Sequence, residues 1–291
     1  LRIKLDSKED YTIISKDEEY DVGEFEEPQK PQETDEEIIE RIRNRFSILD
    51  EMTNATIDGL IRGLVVSGPP GIGKSYGIEQ LIDQANITNI VSDDVPEMST
   101  YGVERGSATP ISLFKLLYEY SNEGSVLVLD DSDTILYEET SLNLLKAVLD
   151  SSKTRRVSWR AESRVLEKEE IPQTFEFKGS IIFITNLKLE KTRGKIGDHM
   201  KALLSRCHYI DLEIDNSHEK FLRCKQIILD GMLENRGFDK DEETEIIDFI
   251  EENKENLREI SLRMVSKIAD LYKISPKRWK HIASNTCMKL K

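Results

Sequence analysis

The sequence predicts an α/β fold with a parallel sheet, followed by a region that is entirely helical. Short apolar runs, typical of strands buried on both faces, alternate with helical patterns as far as residue 215. Beyond that point only helical patterns remain, over roughly 217–234, 242–252, 261–272 and 276–288. Strand–helix repeats indicate a parallel α/β core, and the all-helical remainder indicates a separate lid.

Composition limits the class of protein. The 291 residues are 38% hydrophobic and 33% charged with a net charge of −15, which predicts a globular protein without a generally basic surface for nucleic acid. A local basic patch remains compatible with that charge. Three widely spaced cysteines without metal-ligand spacing indicate a reducing, cytoplasmic setting. The sequence shows no apolar run of membrane-spanning length and no secretory start, so we expect no membrane partner.

Three regions follow from the patterns. Residues 1–33 form an acidic arm that we expect to be mostly flexible, although Tyr11–Ile14 could pair as a strand. Residues 34–215 would form the α/β core, opened by a helix whose capping box is Thr34 and Glu37. Residues 216–291 would form the helical lid. Within the core we expect strands at 64–66, 89–91, 125–129, 181–185 and 208–212, and a hairpin within 151–178.

A glycine-rich segment after the first strand fits the pattern G-x-x-x-x-G-K-[ST]. Glycines let backbone N–H groups turn toward phosphates, and the following helix adds a partial positive charge. Lys74 would reach the β- and γ-phosphates, and the Ser75 hydroxyl would hold Mg²⁺. The alternative is a Gly-Pro turn that happens to precede a lysine. The expected phosphate-binding residues are Gly68, Pro69, Pro70, Gly71, Ile72, Gly73, Lys74, Ser75 and Tyr76.

Two carboxylates end the apolar run at 125–129. Asp130 would steady the Mg²⁺ with Ser75, and Asp131 would orient and deprotonate the attacking water. Carboxylates at strand ends can instead cap helices, which is the competing interpretation.

Three more polar residues occupy positions that suit the same chemistry. Asn186 ends the strand at 181–185 and would help to place the water, although an asparagine there is often a turn residue. Arg206 precedes the last strand and would reach the nucleotide of a neighbouring subunit. Arg263 lies on a lid helix among apolar neighbours, where its partner would be a bound phosphate or an acidic side chain.

From about Thr34 onward this ordered set resembles the AAA+ ATPase family. Walker A is Gly68–Ser75, Walker B is Val126–Asp131, sensor 1 is Asn186, the arginine finger is Arg206 and sensor 2 is Arg263. The resemblance implies a self-assembled ring, commonly a hexamer, with ATP and Mg²⁺ at each subunit junction.

The sequence departs from that family at one point, because Walker B usually ends in Asp-Glu and here ends in Asp-Asp. The shorter Asp131 side chain predicts slow hydrolysis or adjusted water placement. Asp-Asp also occurs in superfamily 3 helicases, which are similar in having a basic element in the following segment. That element here would be the hairpin, with Lys153, Arg155, Arg156, Arg160 and Arg164. The compact chain also resembles phage members of the family.

Three functions compete. The basic hairpin favours a nucleic-acid helicase or translocase, with Arg155, Arg156 and Arg160 contacting the polymer, although nearby glutamates could simply neutralise it. A predicted loop at Tyr101–Val103 resembles an aromatic pore loop, unless it is a surface turn, and together with the acidic surface it favours a protein remodeller or chaperone. The shorter Asp131 favours a slowly hydrolysing, nucleotide-gated scaffold. We lean to the first of these.

Overall fold

The computed structural model of the protein describes residues 33–91, 100–191, 193–214 and 216–290. Residues from Asp35 onward belong to one compact unit. Nearly all of the predicted acidic arm, including the segment at Tyr11–Ile14, lies outside the described residues.

A parallel five-stranded sheet forms the centre of this unit. Its strands run in the order β2-β3-β6-β1-β7, and every pairing between neighbours is parallel. The strands are β1 (Gly63–Ser67), β2 (Tyr101–Arg105), β3 (Val126–Asp130), β6 (Ser180–Thr185) and β7 (His208–Asp211). The predicted α/β class is therefore confirmed.

The three central strands are buried along their whole length, as uninterrupted apolar sequences require. Successive side chains point to opposite faces of a strand, so each strand contributes to two hydrophobic layers. Val66 and Val128 belong to the layer that contains the two helices flanking β1 in the chain and the helices beyond residue 216. Val65 and Leu127 belong to the layer that contains the helices between residues 110 and 204. The sheet is thus covered by helices on both faces.

Within the described ranges, ten α-helices surround or follow the sheet. They are α1 (Asp35–Ile57), α2 (Lys74–Val91), α3 (Pro110–Glu119), α4 (Glu139–Val148), α5 (Arg164–Lys168), α6 (Gly194–Leu204), α7 (Ser217–Ile227), α8 (Lys240–Glu252), α9 (Leu262–Ile274) and α10 (Trp279–Thr286). After α7 the chain makes a π-helical turn over Ile228–Met232, in which Gly231 takes a φ of 102°. The helical lid expected beyond residue 215 is present, and its boundary with the core stays a prediction.

The lid has a small aromatic core. The Trp279 ring, 2% exposed, lies 5.0 Å from the Phe249 ring and 5.3 Å from the Tyr272 ring, centroid to centroid. These contacts fix α10 against α8 and α9, because buried aromatic rings contribute large apolar areas.

The predicted hairpin is confirmed. Strand β4 (Arg156–Ser158) pairs antiparallel with β5 (Thr174–Glu176), and α5 lies between them in the chain. Phe175 packs edge-on against Phe114 of α3 with a centroid distance of 5.1 Å, so the hairpin is anchored to the core.

Two local predictions are wrong. Asn89–Val91, expected to be a strand, are the last residues of α2, because three apolar or amide residues do not distinguish a strand from a helix end. Tyr101–Val103, expected to be a loop, lie in β2, paired with the buried strand β3. Tyr101 packs half-buried against the core, so this segment cannot serve as a projecting pore loop.

None of the helices within the described ranges is long and apolar enough to cross a membrane.

Candidate functional site

A cavity of about 710 Å³ lies between the glycine-rich loop and the lid, at the carboxyl ends of the parallel strands. We call this side of the sheet the cavity edge. Parallel strands bring their carboxyl ends to one edge, where α/β proteins commonly bind ligands. The core contributes loop residues and the carboxylates that follow β3, and the lid contributes residues of α9 and of the π-helical turn. Among the lining residues are Gly71, Gly73, Lys74, Ser75, Tyr76, Asp130, Asp131, Asn186, Met232, Arg236, Leu262 and Arg263.

The loop from Gly68 to Ser75 takes a shape that needs its glycines. Gly71 has a φ of 73° and Gly73 a φ of 101°, both in the left-handed region that other residues rarely adopt. A Cβ atom on Gly71 would also stand 2.6 Å from the Ser261 Cβ. Because α2 begins at Lys74, its first N–H groups lack intrahelical acceptors and face the loop. This geometry suits an anion such as a phosphate.

Lys74 is buried at the centre of the site, with 4% of its surface exposed. Its Nζ donates hydrogen bonds to Gly68 O at 2.7 Å, Pro69 O at 2.8 Å and Asn186 Oδ1 at 2.9 Å. Burial lowers the pKa of Lys74 to about 8, while the nearby carboxylates oppose that shift. The ammonium therefore lies in a site where desolvation strengthens its attraction for a polyanion.

Ser75 and Asp130 lie together, as the motifs predicted. The Ser75 Oγ donates to Asp130 Oδ1 at 3.0 Å, and Asp130 is 3% exposed. Hydroxyl and carboxylate oxygens are hard ligands of the kind that Mg²⁺ prefers. The chemistry of Ser75 and Asp130 thus fits a Mg²⁺ ion that accompanies a nucleotide.

Asn186 connects the loop to the second carboxylate. Its Oδ1 accepts from Lys74 and its Nδ2 donates to Asp131 Oδ1 at 2.9 Å. Asp131 is exposed and has a φ of 51°, a conformation that aspartate tolerates better than most residues. Such backbone conformations often mark functional sites, and here the bend turns the carboxylate toward the cavity entrance.

Sequence reasoning missed a third carboxylate. Asp133 accepts a hydrogen bond from the Thr185 Oγ1 at 2.6 Å, and burial raises the pKa of Asp133. The spacing Asp-Asp-Ser-Asp was the available signal. Asp133 ties the turn after β3 to the end of β6, which holds Asp131 and Asn186 side by side.

Arg105 was also missed. Its Nε donates to Asp130 Oδ2 at 3.1 Å, and its guanidinium forms an ion pair with Glu79 of α2. Register explains the contact, because Arg105 is the β2 residue paired with Asp130 of β3. No sequence signal was available once residues 101–103 had been assigned to a loop.

The lid contacts the loop directly. Leu262 N–H donates to Gly71 O at 2.7 Å, and the Arg223 Nε donates to Ile72 O at 3.3 Å. Arg223 is buried, which lowers its pKa to about 10, and its guanidinium carbon lies 3.5 Å from the centre of the Phe46 ring. Sequence reasoning did not identify Arg223, because a lone arginine in an amphipathic helix carries no signature. A movement of α7 or α9 would therefore displace the glycine-rich loop.

Arg263 lies on the lid side of the cavity. It lines the cavity, is exposed, and forms no ion pair with the other described residues. The acidic partner considered from the sequence is thus not found in the described part of the chain. The cavity wall next to it is formed by Arg236, whose guanidinium pairs with Asp270.

Arg206 is not part of this cavity. It is exposed at the end of α6, where its guanidinium donates to Ala202 O. Strand β7 starts two residues later, and its four residues span roughly 13 Å before Asp211 reaches the cavity edge. Arg206 therefore lies near the amino-terminal ends of the strands, which we call the opposite edge of the sheet. From there it cannot serve the site of its own chain.

The hairpin cations divide into two groups. Arg155 is 7% exposed, donates to Val148 O at 2.9 Å and lies 5.3 Å from the centre of the Phe177 ring. The prediction that Arg155 contacts a polymer is therefore wrong, because its side chain holds the hairpin to α4. Arg156 and Arg160 are exposed as predicted.

These features define a P-loop nucleotide-binding site: a glycine-shaped loop, a buried lysine and a hydroxyl–carboxylate pair. Residues 64–186 match the family model "ATPase family associated with various cellular activities (AAA)". The chain belongs to this AAA family of P-loop ATPases. It is also 35% identical, over 256 residues, to the uncharacterized 36.7 kDa protein in the nrdC-mobD intergenic region of Enterobacteria phage T4; the match covers 87% of this chain and 76% of that protein.

Solved structures resemble the fold at low sequence identity. Domain III of the Thermotoga maritima replication initiation protein DnaA matches with a TM-score of 0.49 and 12% identity, over 84% of this chain and 92% of that one. A complex of S. cerevisiae Hsp104 with casein matches with a TM-score of 0.36 and 16% identity, over 84% of this chain and 40% of that one.

Proposed function

We propose that the protein hydrolyses ATP with Mg²⁺ in a homo-oligomeric ring, a hexamer, and uses the energy to remodel or translocate nucleic acid. The observation that carries the ATPase part is the continuous hydrogen-bonded chain from Lys74 through Asn186 to Asp131, beside the Ser75–Asp130 pair. The phage relative supports action in the cytoplasm of an infected host.

Each residue has a distinct task in this proposal. Lys74 exchanges its carbonyl partners for phosphate oxygens, a gain because a charged donor prefers a charged acceptor. Ser75 and Asp130 would hold the Mg²⁺, which would supply positive charge beside the phosphates. Asp131 accepts a proton from the attacking water, and Asn186 keeps that carboxylate in place. Arg263 closes over the phosphates from the lid.

The oligomer completes the site. Among the cations that line the cavity, Arg263 and Arg236 come from the lid, and the core offers only Lys74. Arg206, on the opposite edge, supplies the missing charge to the next subunit. An arginine acting across a subunit boundary adds roughly 10³–10⁵ to the rate in other nucleotide hydrolases.

Nucleic acid is favoured as the substrate by the hairpin. Arg156, Arg160 and Arg164 are exposed on it, and none forms an ion pair within the described residues. The protein-remodelling alternative loses one of its two supports, because Tyr101 lies in a strand, and keeps the acidic composition of the chain. A slow scaffold keeps the support of the short Asp131 side chain.

An ATPase assay with single-stranded DNA, duplex DNA and RNA, across salt concentrations, tests the proposal. We expect at least one polymer to stimulate hydrolysis, and the stimulation to fall steeply with salt. Arg156→Gln with Arg160→Gln should remove most of the stimulation and leave basal hydrolysis unchanged. Lys254→Gln with Lys267→Gln, on the lid, is a control with the same change in charge. Lys74→Ala, which should not bind ATP, reports the background.

If no polymer stimulates the wild-type protein, the nucleic-acid proposal fails and protein remodelling replaces it. If Lys74→Ala binds ATP with unchanged affinity, the nucleotide site itself has been misassigned.

A further inference from the structure

The charge of the lid is strongly segregated. The whole chain has 56 acidic residues and a net charge of −15. Yet the twenty residues from Leu271 to Leu290 contain no Asp or Glu. They contain five Lys or Arg residues: Lys273, Lys277, Arg278, Lys280 and Lys289. The neighbouring helix α8 is acidic, with three carboxylates in its first turn alone.

The three central cations of this segment face solvent. Lys277, Arg278 and Lys280 are all exposed and form no ion pair with any carboxylate in the described part of the chain. His281, also exposed, continues the same surface. We call Lys277, Arg278, Lys280 and His281 the α10 surface.

Packing holds these side chains in a fixed arrangement. Trp279 and Ala283 are buried on one side of α10, so Lys280 and His281 between them face away from the lid, while Lys277 and Arg278 lie in the turn just before the helix. The bridge between Leu257 and Met288 fixes the chain after the helix. The cations therefore sit on a rigid element, which lowers the entropy lost when a ligand orders them.

The cations of the α10 surface differ from other lysines and arginines of the lid. Lys240 pairs with Glu243, Lys267 with Glu259 and Arg236 with Asp270. Each of these three cations has a carboxylate partner on the lid. The α10 surface has none among the described residues, and its like charges, close together in the sequence, repel each other. A bound polyanion would relieve that repulsion.

We propose that the α10 surface binds the phosphate backbone of nucleic acid. Lysine and arginine side chains make most of the contacts to phosphate in protein–nucleic acid complexes, without reading the sequence. The inference rests on the proposed function, since it gives the polymer a second contact besides the hairpin. It places that contact on the lid, which also touches the glycine-rich loop through Leu262 and Arg223. Nucleotide binding and polymer binding would thereby act on the same rigid element.

The test measures binding directly, by fluorescence anisotropy of labelled mixed-sequence oligonucleotides, single-stranded and duplex, with the full chain. Lys277→Gln with Lys280→Gln should weaken binding about tenfold at low salt. Because each lost phosphate contact removes about 0.9 from the salt slope on duplex DNA, that slope should shrink by about 1.8. Lys254→Gln with Lys267→Gln, on the same lid, should leave affinity and slope unchanged. Basal ATPase activity should be equal in all three proteins.

Other results would overturn the inference. If Lys277→Glu with Arg278→Glu and Lys280→Glu binds oligonucleotides as the wild type does, the α10 surface does not contact nucleic acid. If that triple variant instead changes only the sedimentation coefficient, the surface contacts an acidic face of a second copy. If the wild type binds no oligonucleotide, this inference and the nucleic-acid part of the proposed function fail together. If only the hairpin variant, Arg156→Gln with Arg160→Gln, loses oligonucleotide binding, the proposed function remains and the role of the α10 surface is refuted.

Discussion

The cavity edge and the opposite edge of the sheet differ in how their polar side chains are partnered within the same chain. At the cavity edge, Lys74, Asp130, Asp131 and Asn186 all have partners in the chain. At the opposite edge, the exposed Arg206 donates to a backbone carbonyl of its own helix and interacts electrostatically with Asp150. The first edge holds a linked group of polar side chains, whereas the second presents an exposed cation. This difference is the basis of our proposal that each chain contributes to two sites, its own and that of a neighbour.

The largest effect should come from the exposed edge. Arg206→Ala should leave ATP affinity within about twofold and lower turnover by roughly 10³-fold or more, the value typical of a trans-acting arginine. Calorimetry with a non-hydrolysable analogue measures the affinity, and a steady-state assay measures turnover. Lys201→Ala, an exposed cation on the same helix, should have little effect on either. If ATP affinity fell as much as turnover, Arg206 would contribute to nucleotide binding, which contradicts its proposed role in hydrolysis alone.

A smaller effect should come from the cavity edge, at Arg105. Its guanidinium competes with Mg²⁺ for Asp130, because it donates to Oδ2 of that carboxylate. Arg105→Gln should therefore lower the Mg²⁺ concentration for half-maximal ATPase activity about tenfold, a change of about 1.4 kcal/mol. Arg105→Lys, which keeps the charge, should resemble the wild type. A requirement for more Mg²⁺ in Arg105→Gln would show that Arg105 positions Asp130 rather than competing for it.

The smallest effect is in the pH dependence of nucleotide binding. Burial lowers the pKa of Lys74 to about 8, so the free protein loses this positive charge as the pH rises above that value. Phosphate favours the charged form, and affinity for a non-hydrolysable analogue should be flat below pH 8. Above it, affinity should fall by up to about tenfold per pH unit. Lys74→Arg stays charged throughout, and its weaker binding should not vary over this range. An equal decline in both proteins would assign the titration to another group.

Much of this architecture was predictable from the sequence. The strands at the centre of the sheet were found because they are buried on both faces and read as unbroken apolar runs. Lys74, Ser75 and Asp130 were found because phosphate and Mg²⁺ chemistry dictates their types and their positions at strand ends. The edge strand β2 was missed, since its sequence, YGVER, is mixed and its pairing comes from β3 rather than from its own pattern.

What could not be predicted depends on contacts distant in sequence. Arg105 meets Asp130 through strand register, and Arg223 meets the glycine-rich loop across about 150 residues. Arg155 resembles its neighbours in the basic hairpin by sequence, yet it is buried and donates to Val148 O. A single sequence shows that a side chain is charged but not whether it is buried. The structure was therefore needed to separate the buried Arg155 from the exposed cations of the hairpin.

The central claim is that the two edges meet across a subunit boundary, and mixing two inactive variants tests it most directly. Arg206→Ala lacks the donated charge, and Asp131→Ala lacks the carboxylate that accepts the proton. Each alone should be inactive. A mixed assembly contains some junctions with an intact Asp131 from one subunit and an intact Arg206 from the next, and part of the ATPase activity should return. No recovery in assemblies shown to contain both variants would contradict the claim.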